Sequence, residues 1–376
     1  MARGLRTGNP AVEAAFRSVL WHQALLVLLI GAALGLAYSV VRTVTLHRMA
    51  APGRIDSPPV AMRQPPVAMR QPPARVEAPA RRLVRSGFGA LWILDGLLQT
   101  QASMPIGLPT QVIVPSETGQ PHLVASLINW GAVVWQHHPL DAASAVVWLE
   151  IGLGAWLLMS SRGRLSRAAG AASAFWAVVV WAFGEGFGGL LTSSSSWLFG
   201  APGAAVFYAV AGGLIAAPQS VWESPRAGRA LLKVMGVVFV GCAVLQSIPG
   251  RGLWDGSAVS EMAHQMSALR QPGITRALVR HFGALSKREG GLLNGVVVAS
   301  LALSGAGLAS GRAPRASLAL ATSACLVSWV LVQDLGVFGG LGTDPNSGPP
   351  MILLLAVGYV ALRPARARVP ESSRDG

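Results

Sequence analysis

Four acidic residues stand inside strongly apolar stretches of this chain: Asp95, Glu150, Glu185 and Asp334. A charged side chain in hydrocarbon costs ~3 kcal/mol or more, so each acid must face a helix interior, keep its proton or reach the surface. A carboxyl group held in that way can carry a proton or bind a ligand between helices. Two of the four recur in one pattern. WAFGEGFGGLL (181–191) sets Trp181, Glu185 and the pair Gly184/Gly188 at the end of an apolar run. WVLVQDLGVFGGL (329–341) echoes it with Trp329, Asp334 and Gly336/Gly340. Glycines four apart let two helices, or a helix and a ligand, approach closely.

Other chemistry-bearing residues offer less. His137 and His138 are adjacent, without the i, i+3 or i+4 spacing of a helical metal pair, and His122, His264 and His281 are expected on outer loops. No two histidines lie at matching depth for haem. Cys242 and Cys325 fall in separate apolar runs without CxxC spacing, and they read as small apolar fillers. There is no nucleotide-binding loop, nucleophile elbow or HExxH motif. No metal site is expected, and no residue is assigned as catalytic.

The elements that must position the acids are membrane helices. Hydrophobic residues make up 52% of the chain and charged ones 12%, and several apolar runs approach the ~20 residues a helical span needs. Nine spans are expected, at about 19–41, 83–99, 142–160, 168–191, 203–217, 231–248, 291–310, 316–335 and 350–362. The first reads as a retained anchor rather than a cleaved signal peptide. A net charge of +14 invites a nucleic-acid reading. The arginines, however, gather in short loops beside the spans, the pattern that sets membrane orientation, so nucleic-acid binding is not expected. Loops 160–167, 218–233 and 311–315 and the C-terminal tail are basic, whereas 102–141, 192–202 and 336–349 contain no lysine or arginine. The first set, with the C-terminus, is therefore expected in the cytoplasm, and the protein in a bacterial inner membrane. Loop 250–290 is basic yet falls outside by count; long loops translocate largely regardless of charge.

The chain also repeats itself. WILDGLLQT (92–100) aligns with FVGCAVLQS (239–247), pairing Gln99 with Gln246 and Asp95 with Cys242. SLINWGA (126–132) aligns with LVRHFGA (278–284), and WLEIGLGAWLL (148–158) with SLALSGAGLAS (300–310), which sets Glu150 against Ala302. Trp181 matches Trp329, and Glu185 matches Gln333 or, slipped by one, Asp334. This gives an anchor (1–42), a Pro/Arg-rich cytoplasmic linker with a doubled PPVAMRQ (43–82), a first four-helix unit (83–218), a short linker (219–230), a second unit (231–364) and a basic tail (365–376). An even number of spans per unit makes the units parallel repeats. The expected fold class is thus all-α and polytopic: an anchor helix and two tandem four-helix bundles. Most of the acids belong to the first unit, which is expected to hold the site. Amphipathic pieces at 122–139 and 274–290 are expected to lie as lids on the outer face, with Trp130 and Trp135 at headgroup depth. TDPNSGPP (343–350) reads as an outer turn.

A four-helix unit with both termini inside, a long first outer loop and glycine-rich later spans resembles the DoxX-like membrane proteins. The phrases WILDGLLQ, WAFGEGFGGLL, LFGAPG and QDLGVFGG…TDPNSG are similar to those of a group of actinobacterial integral membrane proteins. The DoxX-like family includes the small quinone-linked subunit of thiosulfate oxidation. The resemblance therefore implies an accessory role in an envelope redox system, with quinone held between helices and a membrane redox partner. The expected pocket is Asp95, Glu150, Trp181, Glu185 and Asp334, with Trp92, Trp148 and Trp176 beside them. Two other readings stand. One is a small-solute or proton transporter using the same carboxyl groups as a relay. The other is an assembly protein that holds partner helices, or a second copy, through its GxxxG faces.

Overall fold

The structure is a computed structural model and describes residues 9–50 and 77–363. The PPVAMRQ repeats and the basic tail 365–376 lie outside the described residues. Among those described every regular element is helical. Helix α1 (Pro10–Ala50) is taken by itself: one continuous helix of 41 residues, about 60 Å long, with exposed Trp21, Leu25, Leu28 and Leu29.

The remaining chain begins with α2 (Pro79–Leu98). The short α3 (Met104–Gly107) then runs through a π-helical turn (Leu108–Ile113) and a 3-10 turn (Val114–Glu117). Helices α4 (His122–His137), α5 (Pro139–Met159), α6 (Gly163–Val179) and α7 (Ala205–Ala216) follow, α6 being lengthened by a second π-helical turn (Val180–Gly184). The second half consists of α8 (Arg226–Ser247), α9 (Ser257–Ala268), α10 (Gly273–Ser310), α11 (Pro314–Leu331) and α12 (Gly348–Val360). Prolines at or next to the first residue of α2, α5, α11 and α12 sit where a missing N–H costs no helical bond. Helix α10 breaks at Glu289 (φ −121°, ψ 28°).

Among the described residues six helices are long and apolar enough to cross a membrane: α1, α5, α6 with its π turn, α8, α10 and α11. This is a multi-pass membrane architecture. Helices α7 and α12 have only 12 and 13 residues, a rise of about 18–20 Å against a hydrocarbon core of ~30 Å. The segments before them fold inwards. Ser195, Ser196, Trp197, Leu198 and Ala201 are buried ahead of α7, and Ser347 ahead of α12. Irregular backbone at membrane depth is tolerated only where protein buries it or where it lines a cavity.

Small residues bring the helices together. A methyl group on Gly154 of α5 would lie 2.9 Å from the Ile93 nitrogen of α2, and one on Gly89 would lie 3.1 Å from the Gly154 carbonyl oxygen. Helices α8 and α10 meet in the same way, a methyl on Gly236 falling 2.7 Å from the Gly305 oxygen. Gly170 and Gly212 do this for α6 and α7. The glycine pairs singled out from the sequence behave differently. Gly188, Gly336 and Gly340 have φ of 64°, 75° and 85° and lie in left-handed turns beyond the helix ends, not on helix faces. The helices stop at 184 and 331, because the clustered glycines that follow favour turns over helix.

One core spans both halves, with Phe88, Trp92, Tyr208 and Ile215 clustering with Met235, Phe239, Met351 and Leu354. At the basic end, Arg81 and Arg85 of α2 are buried and both pair with Glu77 at 2.9 Å. Arg85 also donates to the Leu157 carbonyl at 2.7 Å and Arg81 to that of Ile215 at 3.1 Å, satisfying the last turns of α5 and α7.

Candidate functional site

At the end of the bundle away from these arginines lies a half-open cavity of about 1030 Å³. Helix α2 contributes Trp92, Asp95 and Gln99; α5 contributes Glu150; α6 with its π turn contributes Trp176 and Phe183. Tyr208 of α7 closes one side. Helix α4 covers the cavity with Trp130, Val134 and Trp135, as expected of a lid. Both tryptophans therefore belong to the cavity wall, with Trp130 still 60% exposed. Both π-helical turns line the cavity, a placement common where a helix bends around a functional site.

The acids differ in how they are held. Asp95 is 3% exposed and lies beside the Tyr208 hydroxyl, yet its Oδ1 and that hydroxyl have no hydrogen-bond partner of good geometry. Glu150 is also 3% exposed; its Oε1 accepts from Trp176 Nε1 at 3.4 Å and its Oε2 has no partner. Gln99 Oε1, buried next to them, is without a partner as well. Glu185 is satisfied. Its Oε1 accepts from the backbone N–H groups of Ala204 and Ala205 at 3.1 Å, and its Oε2 from that of Ala205 at 3.3 Å. It therefore caps α7, where anionic oxygens offset the helix dipole. Gly203, at φ 98°, leaves room for it, since a Cβ there would collide with Glu185 Oε2.

A fourth acid arrives from the second half. Asp344, with Thr343, Asn346 and Ser347, lines the same cavity and stands within electrostatic reach of Asp95, Glu150 and Glu185. Its oxygens take the Asn346 N–H at 2.7 Å and the Thr343 hydroxyl at 2.8 Å. The sequence reading treated 343–350 as a plain outer turn. The available signal was an acid in a loop with no lysine or arginine to pair with. Among the described residues no lysine, arginine or histidine lines the cavity.

The structure thus gathers Asp95, Glu150 and Glu185 at one cavity and leaves the other two expected residues elsewhere. Trp181 stands behind the wall, donating to the Pro202 carbonyl at 2.7 Å and stacking edge-on against Phe187 at 5.1 Å. Asp334 is buried in the turn after α11, beside Gln271, and burial raises it from the ordinary 3.8 to about 6. Trp92 and Trp176 line the cavity; Trp148 does not. Among the described residues no three His, Cys, Asp or Glu side chains converge as a metal-ligand set, so the acids ring the chamber without meeting at a point.

The residue that the sequence alignment sets against Gln99 is fully paired: Gln246 accepts from the Ser196 hydroxyl at 2.8 Å and donates to Asn294 Oδ1 at 2.7 Å. Cys242, aligned in sequence with Asp95, is buried near Cys325, both as free thiols. No protein-family model, curated protein or solved structure matches this chain.

Proposed function

We propose that the chain is a multi-pass protein of a bacterial inner membrane in which two tandem four-helix units stand the same way up behind an anchor helix. Its first unit works as a binding chamber for a small solute on its way through or along the membrane. The duplication is supported by matched element order, by the Gly89/Gly154 and Gly236/Gly305 approaches, and by Gln99 and Gln246 at equivalent buried places. Those glycines pair Glu150 with Leu301, one residue from the Ala302 register read in the sequence.

The observation that carries the chamber is the unpaired set of Asp95 Oδ1, Glu150 Oε2, Gln99 Oε1 and the Ser195 and Tyr208 hydroxyls around an apolar, aromatic-walled space. A buried polar atom without a partner costs about 1–3 kcal/mol, so five around one cavity point to a ligand that supplies partners. The transport reading uses these groups directly. Quinone, expected from the DoxX-like layout, fits less well: its carbonyls only accept, so it would engage the open Tyr208 and Ser195 hydroxyls and leave Asp95 Oδ1, Glu150 Oε2 and Gln99 Oε1 without a donor unless the acids keep their protons.

Occupancy is tested with the full chain in nanodiscs and an uncharged, environment-sensitive aromatic dye. The dye is expected to bind with energy transfer from tryptophan, and Val146→Trp, which fills the cavity from its wall, is expected to abolish that binding. Equal binding by wild type and the filled variant would mean that the cavity is not the chamber.

A further inference from the structure

We infer that the chamber takes an amphipathic organic cation: an ammonium or amidinium head on an aromatic or aliphatic body. This rests on the chamber reading above and names its ligand.

The first argument is the balance of hydrogen-bonding roles. Five atoms on the wall are open: Asp95 Oδ1, Glu150 Oε2 and Gln99 Oε1 accept, and the Ser195 and Tyr208 hydroxyls can accept or donate, so acceptors are in excess and a ligand that brings donors fits best. The paired counterpart of Gln99 points the same way. There, Gln246 Oε1 receives the Ser196 hydroxyl, and its amide is engaged by Asn294. In the first unit the stretch matching Asn294 is Ala142 and Ala143, and no serine reaches Gln99. The donor that the protein supplies to itself in the second unit is left for a ligand in the first.

The second argument is charge. Four acids face the cavity, and among the described residues no basic one lines it. Glu185 spends its oxygens on the α7 amides and Asp344 on its own turn, so Asp95 and Glu150 remain with a free oxygen each. A cation between them pairs with buried carboxylates that nothing else neutralises.

The third argument is the wall. Trp92, Trp130, Trp135 and Trp176 surround these acids, and aromatic faces attract organic cations most strongly where water is excluded. A volume of about 1030 Å³ suits a drug-sized molecule and is far larger than a bare ion needs. The acids do not converge into a metal-ligand group either.

The test uses a matched pair of probes on the full chain in zwitterionic nanodiscs: naphthyl-trimethylammonium and its neutral tert-butyl isostere. Each is titrated against the uncharged dye bound in the cavity, with Val146→Trp giving the background from lipid. The ammonium probe is expected to displace the dye at a concentration about tenfold or more below that of the isostere. Asp95→Asn combined with Glu150→Gln is expected to bring that ratio close to one, each displacement being read against the variant's own titration with the dye. Equal displacement by both probes in the wild type overturns the inference and leaves the chamber standing. A preference that survives the double variant also overturns it, because the cation would then sit away from these acids. If the dye is indifferent to Val146→Trp and to a second filler, Ala145→Trp, the chamber itself fails and the inference falls with it.

Discussion

A carboxylate at the start of a helix and one in a cavity wall answer to different physics. Glu185 accepts three backbone hydrogen bonds at the mouth of α7, so its removal exposes amides that nothing else satisfies. Asp95 leaves an oxygen open, so its charge is a cost that only a partner offsets. Glu185→Ala is therefore expected to lower stability by about 1–2 kcal/mol, read as a fall in unfolding temperature in detergent. Asp95→Asn is expected to leave that temperature unchanged or raise it while removing ligand preference. The reverse pattern would exchange the two roles. Asp95 and Glu150 were legible in the sequence because an acid in an apolar run must be explained. Asp344 was not, because hydropathy finds spans and is silent about a loop that turns back over a neighbouring bundle. The Trp181/Glu185 motif was visible, but its use was not. Trp181 and Trp329 both donate to the carbonyl of a following loop residue, Pro202 and Leu335. Gln333 reaches Ser347 at the start of α12 much as Glu185 reaches the start of α7. The shared pattern anchors the inward-folding loops.

At the scale of helices, α5 offers its own control. Gly154 meets the backbone of α2, whereas a methyl group on Gly152 of the same helix would meet nothing within 4 Å. Gly152→Ala should stabilise by up to about 1 kcal/mol through helix propensity alone. Gly154→Ala should destabilise by about 1–3 kcal/mol, because the backbones must part. Thermal unfolding of both variants in detergent checks this, and equal effects would remove the close approach as a determinant of the fold. Sequence reading placed α2 and α5 to within a few residues, since long apolar runs leave few alternatives, but it put the start of α10 eighteen residues late, at 291 rather than Gly273. It placed the glycine contacts on the wrong pairs. Spacing alone cannot tell a glycine on a helix face from one beyond the helix end.

For the whole molecule, the arrangement of the halves is the open physical question that labelling answers. In a background with Cys242→Ala and Cys325→Ala, single cysteines at Arg164 and Arg312 are expected to react with an impermeant maleimide from the same side. Opposite sides would mean that the halves are inverted and would end the parallel-repeat reading. The exchange of loops between halves has a further outcome. Thr343, Asp344, Asn346 and Ser347, with Met262, finish a wall otherwise built by the first half, and Ser196 plugs the space around Gln246 in the second. Neither half is complete without the other: the hollow in the first borrows part of its wall from the second, and the second is kept solid by a serine lent from the first.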